Sequence, residues 1–162
     1  MTVPPRSRSR RASTVDLALR CGVDLVSVNR LRESLARHGE RFVARLFTAA
    51  ERHDVDTRSG TELLRAQRLA ARFAAKEACI KALGLVDVGL DWRDIEVQHH
   101  ADGRCELALH GVAAARAVAL GVTSLALSLS HEDDHAVALV QALVRAPAAA
   151  SNPPTPSPLS GD

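Results

Sequence analysis

Lys76 and Lys81 are the only lysines in a chain of 162 residues; arginine supplies the rest of its 21 basic side chains. Both lie in Arg72-Phe73-Ala74-Ala75-Lys76-Glu77-Ala78-Cys79-Ile80-Lys81-Ala82-Leu83-Gly84, an Ala-rich run that lacks Pro and closes on a Gly. That composition predicts a helix with Gly84 just past its end. Glu77 and Lys81, four apart, share one face, and Phe73 and Ile80 border that face with apolar surface. Taken alone, the pair is an ordinary helix-stabilising one, contributing roughly 0.2–0.5 kcal/mol. Two other stretches shift the balance. Gly22-Val23-Asp24 sets a carboxylate inside an apolar run, where a metal or backbone amides must satisfy its charge. Ser128-Leu129-Ser130-His131 adds hydroxyls and an imidazole at a strand end. Asp24 and Glu77 offer hard oxygens suited to Mg²⁺, which takes one or two carboxylates and fills its shell with water and substrate phosphates. Lys81, one turn from Glu77, suits a phosphate on such a metal. The set suggests phosphoryl-type transfer, which depends on positioning and charge neutralisation more than on a protein nucleophile.

The elements that must position these residues follow from pattern. Leu19 to Val28 reads as a first strand carrying Asp24. Asn29 to Ala50 reads as helix broken near Gly39, with Arg30, Arg37, Arg41 and Arg45 along one stripe. Such a stripe is usually a solvated face; its specific alternative is a dock for an acidic partner helix. Thr48 and Glu51 have the spacing of a capping box. His53 to Gly60 is polar and reads as a loop. Thr61 opens the long helix that ends at Gly84. Trp92 to His99 and Cys105 to His110 read as a hairpin turning at Asp102-Gly103. Gly111 to Leu120 reads as helix. Thr123 to His131 and His135 to Val144 form a last hairpin, with serines on one face of its first strand and leucines on the other. The expected fold is α+β, an antiparallel sheet packed against a long helix. One domain spans 19–145, between a basic Arg/Ser tail over 1–18 and a Pro/Ala/Ser tail over 146–162, both expected to be disordered.

Composition narrows the function classes. A net charge of +2 and an aromatic content of 2% give no stacking platform or basic field for nucleic acid. Nothing approaches a membrane-spanning apolar run, and the basic start lacks a secretory apolar core. Cys21, Cys79 and Cys105 are odd in number and widely spaced, as fits reduced thiols in the cytoplasm. His99, His100, Cys105 and His110 lack paired zinc-ligand spacing. Cys79, flanked by Ala and Ile, reads as structural.

Gly22-Val23-Asp24-Leu25-Val26 with Asn29-Arg30-Leu31, then Phe73 to Gly84, then Trp92-Arg93-Asp94-Ile95-Glu96-Val97, then Ser128 to Val140, closely resemble the holo-[acyl-carrier-protein] synthase family. This is the small, single-domain class of 4′-phosphopantetheinyl transferases, and the likeness runs from about Cys21 to Val144. The resemblance implies transfer of the phosphopantetheine arm of coenzyme A to a serine of apo-acyl carrier protein, with release of adenosine 3′,5′-bisphosphate. The default carrier is that of fatty acid biosynthesis; the alternative is a polyketide or other secondary-metabolite carrier. By motif position Asp24 and Glu77 would hold Mg²⁺, with Mn²⁺ as a substitute, and Lys81 would neutralise phosphoryl charge. Ser130 and His131 would contact a coenzyme A phosphate. The base for the serine is either Glu77 or a water on the metal. The resemblance also implies a cytoplasmic homotrimer with coenzyme A between subunits, so that His131 comes from the neighbour of the chain supplying Asp24 and Glu77. Arg30 and Arg45 would then meet the acidic carrier protein. The chain departs from the family pattern in two places. Leu85-Val86 replaces a Thr-Gly pair in the loop near the coenzyme, and Cys105 replaces a Pro.

Overall fold

The computed structural model describes residues 16–146. The expected tails lie outside the described residues except at their inner ends. Strand β1 (Leu17–Ser27) is followed by α1 (Val28–Leu46), α2 (Ala49–Arg58) and the long α3 (Glu62–Leu83). A short 3-10 helix (Trp92–Asp94) leads into the hairpin β2 (Ile95–His99) and β3 (Cys105–Leu109). Helix α4 (Gly111–Ala119) and the hairpin β4 (Val122–Glu132) and β5 (His135–Arg145) complete the chain. The fold is α+β and wholly antiparallel: one sheet of order β1-β5-β4, and a separate β2-β3 ribbon.

Helix α3 lies on one face of the three-stranded sheet, and small residues make the contact. Ala74, Ala78 and Ala82 meet Ala138, Val140 and Ala142, all buried. Gly22 carries the argument furthest. A Cβ there would stand 2.1 Å from the Ala78 carbonyl oxygen and 2.8 Å from the Ala82 nitrogen. Backbone therefore touches backbone, which only glycine permits. The end of α3 is fixed by Gly84 in the left-handed region at φ 63°. The Arg20 and Arg116 guanidiniums donate to the Ala82 and Leu83 carbonyls at 2.7 and 3.1 Å, satisfying orphan acceptors there.

Two local expectations are corrected. The segment from His53 is helix up to Arg58, because the Thr48–Glu51 capping box starts it and buried Val55 anchors it. Its polar residues face α3 as ion pairs, Asp54 with Arg72 and Asp56 with Arg65. The first three residues of the expected strand at Trp92 form the 3-10 turn instead, capped by the Asp91 side chain on the Arg93 amide at 2.9 Å. In α3, Leu63 and Leu64 stand exposed, because the core begins at Ala66. The helix break expected near Gly39 is present, with φ 62° and ψ −158°.

Candidate active site

Asp24 follows two residues after the glycine at which β1 touches α3, so the tight contact delivers it to the Glu77–Lys81 face of that helix. Lys81 Nζ donates to Asp24 Oδ1 at 2.7 Å and to the Val23 carbonyl at 2.9 Å. The Lys81 side chain remains half exposed while that of Asp24 is 18% exposed, so the ammonium is available to a ligand. Of the two possibilities for Asp24, satisfaction by backbone amides is not what the fold provides. Its charge is met by Lys81. Glu77 sits one turn before Lys81, and no donor among the described residues bonds its carboxylate. Burial first, then the Asp24 charge, pushes the Glu77 carboxyl above its usual range, and Lys81 works against the rise.

Asp24, Glu77 and Lys81 line one open depression of about 520 Å³, together with Arg30, Arg37, Phe42 and Phe73. A larger depression, about 740 Å³ between α1 and the start of α3, holds none of this chemistry; its Arg65 is occupied by Glu40 and Asp56. Arg45 lines a neighbouring depression of about 580 Å³ with Phe42, Trp92 and Arg93. Phe42 thus lies on both, with Arg30 and Arg37 of the helical stripe on one and Arg45 on the other.

Ser130 and His131 do not join this group within one chain. They line a fourth depression with His135 and Val137, and only Leu25 lies on both that depression and the one holding Asp24. Ser124, Ser128 and Ser130 stand on the outer face of β4, as their alternation predicts. That outer face is apolar on the neighbouring strands: Leu19, Val23 and Leu25 are 63, 56 and 64% exposed, with Val137 and Leu139 beside them.

The carboxylates have the chemistry Mg²⁺ requires. Two hard oxygen donors lie close enough for one to raise the pKa of the other, and the open depression leaves room for water and phosphate oxygens. No group of three or more His, Cys, Asp or Glu able to hold a metal ion occurs among the described residues. His100 pairs with Glu106, His110 with Glu96, and His99 with Arg58. Burial pushes the Cys79 thiol up to about 12, which keeps it inert. Leu85 turns inward and is buried, whereas Val86 projects into solvent.

Pattern did not single out Lys76 and Glu51 as partners. Both are fully buried and form an ion pair at 2.9 Å across α2 and α3. The capping-box spacing of Glu51 was a signal for its helix but not for its second bond.

Comparison with known proteins places this geometry. The profile of the 4′-phosphopantetheinyl transferase superfamily matches residues 20–140. The holo-[acyl-carrier-protein] synthase of Chloroflexus aggregans is 50% identical over 133 residues, spanning 76% of this chain and 94% of that protein. The solved complex of the Chronobacterium ammoniagenes synthase with coenzyme A superposes with a TM-score of 0.68 at 37% identity, covering 80% of this chain and 99% of that one. The Bacillus anthracis synthase, solved with coenzyme A (3′,5′-ADP), gives 0.62 at 29% identity over 78% of this chain and 99% of its own.

Proposed function

The chain belongs to the 4′-phosphopantetheinyl transferase superfamily, and from that premise we propose how its residues divide the work. The reaction is transfer of the 4′-phosphopantetheine group from coenzyme A to a serine of apo-acyl carrier protein. The serine oxygen bonds to phosphorus, the pyrophosphate bond breaks, and adenosine 3′,5′-bisphosphate leaves. The observation that carries this reading is the meeting of Asp24, Glu77 and Lys81 in one open depression flanked by arginines.

Asp24 and Glu77 would hold Mg²⁺, or Mn²⁺ in its place. A bound divalent cation there supplies charge neutralisation at the pyrophosphate. Lys81 reaches the same place with an ammonium half open to solvent and offsets charge on the transferred phosphoryl and the leaving group. The serine proton passes to Glu77, the carboxylate of the two with no lysine on it. Arg30 and Arg45 dock the acidic carrier, on either side of Phe42. The carrier of fatty acid biosynthesis is the first choice and a polyketide carrier the second.

The working form is a cytoplasmic homotrimer. Two features support it. The outer face of the β1-β5-β4 sheet exposes a contiguous apolar surface, which a symmetric contact would cover. Ser130 and His131, meant for a coenzyme A phosphate, line a depression apart from Asp24 and so suit a neighbour's site. No helix among the described residues is long and apolar enough to cross a membrane.

The test is the intact mass of apo-acyl carrier protein after incubation with this protein, coenzyme A and Mg²⁺. A gain equal to the phosphopantetheine arm, lost with EDTA and with Glu77→Gln, is the expected result. No gain on any of several carriers by folded protein would refute the assignment.

A further inference from the structure

Lys76 precedes Glu77 in α3, yet nothing in the reaction uses it. Its Nζ donates to Glu51 Oε2 at 2.9 Å, to the Trp92 carbonyl at 3.0 Å and to the Ile95 carbonyl, so all three protons are engaged. Glu51 in turn accepts from the Val97 amide at 3.0 Å and the Thr48 amide at 2.8 Å. The Phe47 ring centroid lies 5.6 Å from the ammonium. One ion pair therefore joins the start of α2, the middle of α3, the strand β2 and the 3-10 turn before it. That turn carries Trp92, whose ring stacks on Phe73 at 5.1 Å. Phe73 lines the depression that holds Glu77 and Lys81.

Stability alone is a poor reason for this arrangement. A buried ion pair is often no better than well-packed apolar residues of the same volume. What directed bonds to two carbonyls and two amides do well is fix one register among elements that apolar packing would let slide.

We propose that Lys76 and Glu51 are positioning residues of the transfer site: a buried clamp that sets the roll of α3, so that Glu77 faces the depression, and holds the Trp92–Phe73 stack as its wall. The proposal rests on the reaction assigned above, and its test separates the two. Trp92 is the only tryptophan, so intrinsic emission reports the wall directly.

Lys76→Met leaves Glu51 as a lone buried charge and is expected to melt well below wild type. The double variant Glu51→Gln/Lys76→Met buries no charge and is expected to regain most of that Tm. Its Trp92 emission nevertheless stays red-shifted and more open to acrylamide, because the Trp92 and Ile95 carbonyls have lost their donor. Its transfer rate stays lower by on the order of 10- to 100-fold. Recovery of native emission and native rate together with Tm would overturn the proposal and leave the pair purely structural. Glu51→Gln alone, a milder change, is read in the same way: displaced emission and a lowered rate support the clamp, native values of both refute it. If wild type transfers nothing to any carrier, the reaction assignment fails, while the emission measurements still judge the clamp.

Discussion

Replacing Gly22 by alanine tests whether the tight contact between β1 and α3 sets the site. The new Cβ would stand 2.1 Å from the Ala78 carbonyl oxygen, 2.8 Å from the Ala82 nitrogen and 3.0 Å from Lys81 Cβ. The first two are backbone atoms, so no rotamer change relieves the contact. Carbon packs at roughly 3.5 Å, so strand and helix must part by about 1 Å. Overpacking of this kind costs about 1–3 kcal/mol, which lowers Tm by roughly 2–12 °C in a domain of this length. The functional effect should be larger. Asp24 rides on the strand and Glu77 and Lys81 on the helix, so the same displacement opens the site, and a misplacement of about 1 Å costs on the order of 100-fold in rate. The assay pairs thermal melting by circular dichroism with the rate of holo-carrier formation, taken well below the variant's Tm. A variant that melts lower yet transfers at nearly the native rate would refute the link between this contact and the site. Native values of both would refute the contact itself.

Three other perturbations separate roles. In the metal-free protein the Glu77 carboxyl is raised above its ordinary 4.5, so the folded chain holds a proton that the unfolded chain has released. The stability it contributes is present at low pH and falls as pH rises through that value toward the raised one. Glu77→Gln should therefore lose less Tm than wild type between about pH 4 and pH 7 in EDTA, and transfer nothing; a larger loss than wild type would contradict the sign. Lys81→Met removes a half-exposed ion pair, so denaturant unfolding should show a change within about 1 kcal/mol. The transfer rate should fall roughly 100-fold or more; a large stability loss with little rate loss would reverse the role assigned. Leu25→Arg places a charge on the exposed apolar sheet face. Light scattering should then report monomers that stay folded and lose transfer, whereas an unchanged mass with native transfer would remove that face from the assembly.

The proposed triplet of Asp24, Glu77 and Lys81 stands out because its residues announce themselves locally. An Asp within an apolar strand, and a Glu–Lys pair one helical turn apart, conflict with what burial or plain helix stabilisation asks of those positions. The strands, the long helix and the break at Gly39 followed from periodicity and glycine placement. Helix α2 did not. Its residues from His53 onward are mostly polar, and beyond the local capping box they are held by ion pairs to α3 and one buried valine. Such bonds depend on a partner distant in sequence, which no local window contains.

The sequence by itself determined the antiparallel α+β order, the residues proposed to bind metal and phosphate, and the family that these motifs resemble. The tertiary structure decided how they meet. Gly22 is an unremarkable small residue until α3 lies against it, and then its missing Cβ is what lets Asp24 reach Lys81. Lys76 and Lys81 read alike in the chain. One turns inward to Glu51 and two carbonyls, and the other outward to Asp24, because positions five apart on a helix lie on different faces and only packing says which face is the core. His131, proposed as a phosphate contact, lies on β4, across the sheet from Asp24 on β1. That separation belongs to the fold, and no spacing along the chain expresses it.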